Sequence, residues 1–143
     1  MYFKTRTLLF VLIFFISLAA CSTPVELEGT WIGYEIGSPQ QDWTLTIKRN
    51  QFRLVCEDTR TWYKGSLELN NNCNRNKMDL RISTTAVQTY KGKTAFGIYE
   101  IEEDTLVLVA GEPGNTERPY SFDEAEETVA FVFEKSTVDQ ASH

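Results

Sequence analysis

Two hydrophobic patterns divide the chain. From Leu8 to Ala20 the residues are apolar without alternation (LLFVLIFFISLAA), Ser17 being the one mild exception. From Glu28 onward the pattern changes to period two, the mark of strands with one face inward and one in water. Asp42–Lys48 sets Trp43, Leu45 and Ile47 against Thr44, Thr46 and Lys48. Gln51–Glu57 groups Phe52, Leu54 and Cys56, and Arg60–Asn70 groups Tyr63, Leu67 and Leu69. Lys77–Ser83 sets Met78, Leu80 and Ile82 against Asp79 and Arg81. Glu28–Ile36, Lys93–Glu102, Thr105–Ala110 and Glu127–Lys135 complete the set, the last with Val129, Phe131 and Phe133 on one face.

Polar turns separate these runs. Arg49-Asn50 and Glu103-Asp104 read as tight turns, Asn70–Asn76 as a longer loop, and Gly111–Asn115 as a strong break. No stretch after Leu27 shows a helical period. About eight regularly spaced strands predict an all-β fold, an antiparallel barrel or a sandwich. The folded domain is placed at 28–136, with a tether at 21–27 and a C-terminal tail at 137–143.

Composition narrows the chemistry. The chain has 143 residues and a formal net charge of −6. That length suits one domain, and an acidic surface argues against nucleic acid as a partner. The single histidine is His143, the last residue, which removes most histidine-based catalysis and metal sites. No Gly-x-Ser-x-Gly elbow, glycine-rich phosphate loop or zinc-ligand set occurs. The Asn70–Asn76 run lacks the acidic spacing of a calcium loop. Glu100 and Glu102 share a strand face while Glu103 and Asp104 form a turn, so they do not read as a catalytic pair. No cofactor, no metal and no enzyme activity are expected.

The N-terminus reads as an address. Lys4 and Arg6 precede the apolar run, which is shorter than the roughly 20 residues a spanning helix needs. Leu18-Ala19-Ala20-Cys21 resembles a bacterial lipobox, in which the cysteine is acylated and becomes the first residue. Residues 1–20 are then a lipoprotein signal peptide, and Cys21 is the lipidation site. Acyl chains contribute about 0.8 kcal/mol per buried CH₂, so several of them hold a small domain on a membrane. The resemblance implies the bacterial cell envelope, and Ser22 after the cysteine implies the outer membrane facing the periplasm in a Gram-negative cell. Removing 20 of 143 residues leaves 123 and takes two basic residues with no acid, so the net charge falls from −6 to −8. Cys56 and Cys73 remain. They are read either as a disulfide or as a buried Cys56 with an exposed Cys73.

Further motifs carry a resemblance along the domain. Leu27-Glu28-Gly29-Thr30-Trp31 opens the first strand, and Met78-Asp79-Leu80 sits in a central one. Gly97-Ile98-Tyr99, Asp104-Thr105-Leu106 and Arg118-Pro119-x-x-Phe122 follow in order. The set is similar to a lipocalin-like family of small bacterial exported proteins and covers about Leu27 to Lys135. Asn76-Lys77 stands where that family often has proline. The resemblance implies an eight-stranded antiparallel meander barrel and an extracytoplasmic compartment. It implies no activity.

Within such a barrel Gly29 and Trp31 are the expected plug of one end, with Lys135 covering the indole and Gly33 easing a bend. Trp43, Phe52, Trp62 and Tyr63 are the candidates for a ligand mouth, set against ordinary core packing. Arg118 is read as tied to carbonyls or a carboxylate, or as an anion site. The expected partners are a membrane through the N-terminal lipid and a small apolar or amphipathic ligand. The alternative partner is an envelope protein docked on a filled barrel.

Overall fold

The computed structural model describes residues 27–72, 75–123 and 127–138. The signal segment, Cys21, Cys73 and the end of the tail from residue 139 lie outside them.

Eight strands follow one another: β1 (Gly29–Glu35), β2 (Ser38–Lys48), β3 (Gln51–Cys56), β4 (Thr61–Asn72), β5 (Arg75–Thr85), β6 (Thr94–Glu102), β7 (Thr105–Gly111) and β8 (Thr128–Lys135). Each pairs antiparallel with the next, and β8 returns to β1, so the sheet closes into a lipocalin-like meander barrel. Closure leaves no free sheet edge at that seam. Two further backbone bonds flank it, Ile36 N to Ala130 O at 2.7 Å and Ser136 N to Thr30 O at 2.8 Å.

The alternating residues behave as their period requires. Leu45, Ile47, Phe52, Leu54, Cys56, Leu67, Met78, Leu80, Ile82, Leu106, Leu108, Phe131 and Phe133 all enter one core cluster. Arg49 and Glu103 take positive φ (57° and 55°) at the two tight hairpins, and Glu28 Oε1 accepts the Arg49 N–H at 2.8 Å. Ile98, Val109 and Ala130 are register neighbours on β6, β7 and β8 and form a second small cluster, on the opposite face from the core.

Two expectations are corrected. The first strand pair is longer than its alternation, because β2 begins at Ser38 and turns back at Gly37 (φ 95°). The asparagine run is not a seven-residue loop. Asn70, Asn71 and Asn72 continue β4 in register with Lys77, Asn76 and Arg75 of β5. The hairpin ladder satisfies their backbone groups and outweighs the poor strand preference of asparagine. Of the two remaining cysteines, Cys56 is a free, buried thiol at the end of β3, paired in register with Thr61 of β4. Cys73 lies outside the described residues.

The connection from β7 to β8 is a strap fixed by Arg118. Its Nη1 donates to the Gly97 carbonyl at 2.7 Å and lies 2.6 Å from Asp79 Oδ1. The Asp79 contact is an ion pair without hydrogen-bond alignment, since that buried oxygen accepts no bond. The guanidinium also sits 5.3 Å from the Phe96 ring centroid. Arg118 is thus tied to a carbonyl and a carboxylate of the barrel wall. Arg118→Met should cost about 1–2 kcal/mol, because it leaves Asp79 and the Gly97 carbonyl without their cation while a quarter-exposed site softens the loss. Arg118→Lys should recover only part, lacking the planar fork. Thermal denaturation, with limited proteolysis of the strap, reads both effects.

Candidate functional site

The two ends of the barrel differ in chemistry. At one end Trp31 is fully buried. Its Nε1 donates to the Leu27 carbonyl at 2.9 Å, and Leu27 is itself buried beneath it. Trp31 pairs in register with Lys135, so both side chains leave the same face of the sheet. The Lys135 ammonium lies 5.3 Å from the indole centroid, a cation–π contact. Gly29 (φ 128°) turns the chain into β1 with the Lys135 stem against it. This end is sealed.

The other end holds a cavity of about 150 Å³. Its wall is drawn from the late parts of β1, β5 and β7 and the early parts of β4, β6 and β8, with Trp43 of β2 and Phe52 and Leu54 of β3. Large rings stand on one side. Trp43 stacks on Tyr63 (6.5 Å, 14°) and meets Phe131 edge to face (5.4 Å, 72°). Small residues line the cavity as well: Ala95, Ala110 and Gly111. The volume exists because Ala95 and Ala110 carry only a methyl group and Gly111 carries no side chain. An apolar cavity of this size accepts a molecule such as benzene.

Polar groups are few and placed at the rim. Glu35 lines the cavity. Burial, and then the Glu35 charge, push the Tyr63 phenol above its ordinary 10.0. Tyr90 stands beside Tyr63 (6.4 Å) and donates its hydroxyl to Glu112 Oε1 at 2.9 Å. That hydrogen bond, followed by burial, raises the Tyr90 phenol as well. Both phenols hold their protons more tightly folded than unfolded. Their stabilising contribution is therefore complete below about pH 10 and lost as pH rises through the raised values. The urea midpoint should fall more steeply above pH 10 in the native protein than in a Tyr63→Phe/Tyr90→Phe variant. Parallel curves would contradict the assignment.

Deep in the wall one polar atom is left over. Trp43 is 6 % exposed, and its indole Nε1 is buried with no acceptor among the described residues.

Three of the four ligand-mouth candidates come together here: Trp43, Phe52 and Tyr63. Trp62 does not. Next to inward Tyr63 it takes the opposite face of β4, where the Lys64 ammonium lies 5.5 Å from its ring. The other lining residues, among them Glu35, Leu108, Phe131, Ala95 and Ala110, carry no site signal in the sequence. Alternation puts most of them inside, but only the closed sheet shows where the space is. Among the described residues no group of three or more histidine, cysteine, aspartate or glutamate side chains is arranged to hold a metal ion. Compared with known proteins, the chain matches no family model, no curated protein and no solved structure.

Proposed function

We propose that this is a membrane-anchored extracytoplasmic lipoprotein whose barrel binds a small apolar or amphipathic ligand, a binding module and not an enzyme. The observation that carries the reading is the asymmetry of the barrel. One end is sealed by Trp31, and the other keeps an apolar cavity of about 150 Å³ walled by Trp43, Phe52, Tyr63 and Phe131. Apolar wall left open at the mouth stays in water and adds nothing to folding, whereas a ligand of matching size would cover it. The size suits one ring, or the end of a longer chain that leaves through the mouth.

The test fills the space. Ala110→Leu sets an isobutyl group into the cavity. It should weaken binding of toluene at least about tenfold, since the ligand and the new side chain compete for one volume. The fold should persist, as buried space is being filled. Nuclear magnetic resonance titration reads binding and fold together. A wild type that binds no small apolar molecule, or a filled variant that binds as well, overturns the reading. The anchor has a separate test. Cys21→Ser should abolish acylation and release the domain from membranes, and an unacylated protein that stays membrane-bound would refute it.

A second reading is a docking module for an envelope protein. It is favoured by Ile32 (48 % exposed), Tyr34 (40 %) and Ile36 (39 %) at the outer side of the first strand. That reading calls for a filled barrel, and the cavity favours ligand binding over it.

A further inference from the structure

We propose that the cavity takes a small organic cation, a protonated amine on a short apolar body, with the body among the rings and the ammonium at the mouth beside Glu35. The inference rests on the cavity-binding reading and adds the ligand's charge.

Three observations combine. The first is the direction of Glu35. Along β1, Glu35 pairs in register with Phe131 of β8, as Gly33 does with Phe133 and Trp31 with Lys135. Register partners leave the same face of the sheet, and Phe131 lines the cavity. The irregularity at Tyr34/Glu35 shifts the ladder with β2 only, and the ladder with β8 runs through unbroken. Glu35 is therefore an inward residue, half-buried, at the end of β1 away from Trp31. Its charge is felt by the phenol of Tyr63, another lining residue, so the carboxylate acts across the mouth.

The second is the missing counter-ion. Glu35 is the charged side chain of the cavity wall, and among the described residues no lysine or arginine pairs with it. Elsewhere the barrel supplies its own cation, as Arg118 does for Asp79. Glu112 stands between the lining residues Gly111 and Pro113 and accepts the Tyr90 hydroxyl, so the same end carries a further negative charge.

The third is the state of the rings. A ring face attracts a cation. Trp31 holds Lys135, Trp62 holds Lys64 and Phe96 holds Arg118, each within 5.5 Å of the ring centroid. Trp43, Tyr63 and Phe131, the rings of the cavity, hold no lysine or arginine among the described residues. An ammonium brought by a ligand meets both an unpaired carboxylate and ring faces there. A neutral ligand gains only the apolar contact, and an anion meets repulsion from Glu35. The mouth is open to water, so the preference is moderate and salt weakens it.

Three probes of similar shape make the test: benzylammonium, benzyl alcohol and benzoate, a cation, a neutral molecule and an anion near pH 7. Nuclear magnetic resonance titration of the wild type in about 20 mM salt should show benzylammonium binding about fivefold more tightly than benzyl alcohol, and benzoate more weakly than either. In about 0.5 M salt the preference for the cation should fall to about twofold or less. Glu35→Gln keeps the shape and removes the charge. Cation and alcohol should then bind alike, with the alcohol within about twofold of its wild-type affinity as proof that the cavity is intact. Equal binding of cation and alcohol to the wild type would overturn the inference and leave the cavity reading standing. So would a preference that survives Glu35→Gln. Binding of none of the three would overturn both. Should Glu35→Gln fail to fold, the salt series on the wild type decides alone: a preference that salt does not weaken refutes the proposal.

Discussion

Replacing Gly33 with alanine should cost more than about 4 kcal/mol, a large part of the 5–15 kcal/mol that holds a typical domain folded. A methyl group there would sit 1.9 Å from the Val132 carbonyl oxygen and 2.7 Å from the Phe133 Cα. Both are backbone atoms of β8, and β8 is the strand that closes the barrel on β1. A side chain could swing aside, but this backbone can yield only by parting the seam. Gly65 is built alike, with the Arg81 carbonyl 1.8 Å from a methyl group, beside the register shift at Lys64/Gly65. Gly97 is the graded control. Its nearest atoms would be 3.0 and 3.1 Å away, so Gly97→Ala should cost about 1–2 kcal/mol. Soluble yield and thermal midpoint rank the three. For a domain of this size 1 kcal/mol moves the midpoint by roughly 3–6 °C, so Gly33→Ala should lose well over 10 °C or fail to fold. A midpoint within a few degrees of wild type would show that closure tolerates a side chain at this corner.

The same glycine shows what one sequence can reveal about a barrel. Gly33 stands out as a bend because it interrupts an inward face of large residues. That its neighbour is the Val132 carbonyl is a fact of long-range pairing, 99 residues along the chain. The strands were legible for a local reason: Trp43, Leu45 and Ile47, or Met78, Leu80 and Ile82, alternate whether or not their partners are known. The extension of β4 through Asn72 was not, because it comes from the hairpin ladder and not from side-chain preference. The candidate site divides the same way. Trp43, Phe52 and Tyr63 announced themselves as inward rings. Ala95, Ala110 and Gly111, which leave the space open, carry no signal until the sheet closes and brings them into one wall with the rings. Trp62 shows the limit of residue type as a guide: an aromatic ring suits a cavity wall, but a place one step from Tyr63 sends this one to the other face.

The second large effect is expected at the sealed end. Trp31→Ala should cost about 4 kcal/mol, within the range for removing a fully buried large ring. The loss has three parts that act together. The indole leaves a void at the base, the Leu27 carbonyl loses its donor, and the Lys135 ammonium loses the ring beneath it. Trp31→Phe separates them. Phenylalanine keeps most of the volume and a face for the ammonium but no N–H, so about 1–2 kcal/mol should be lost. Urea denaturation gives both values. The pair also tests the division of labour between the two ends. Trp31 lies outside the cavity wall, so probe affinity in the folded Trp31→Phe variant should stay within about twofold of wild type, as expected for sites that share no partner. Ala110→Leu should do the reverse, losing binding and keeping stability. If Trp31→Phe abolished binding while the barrel stayed folded, Trp31 would be a ligand contact, and the assignment of one end to sealing and the other to recognition would be wrong.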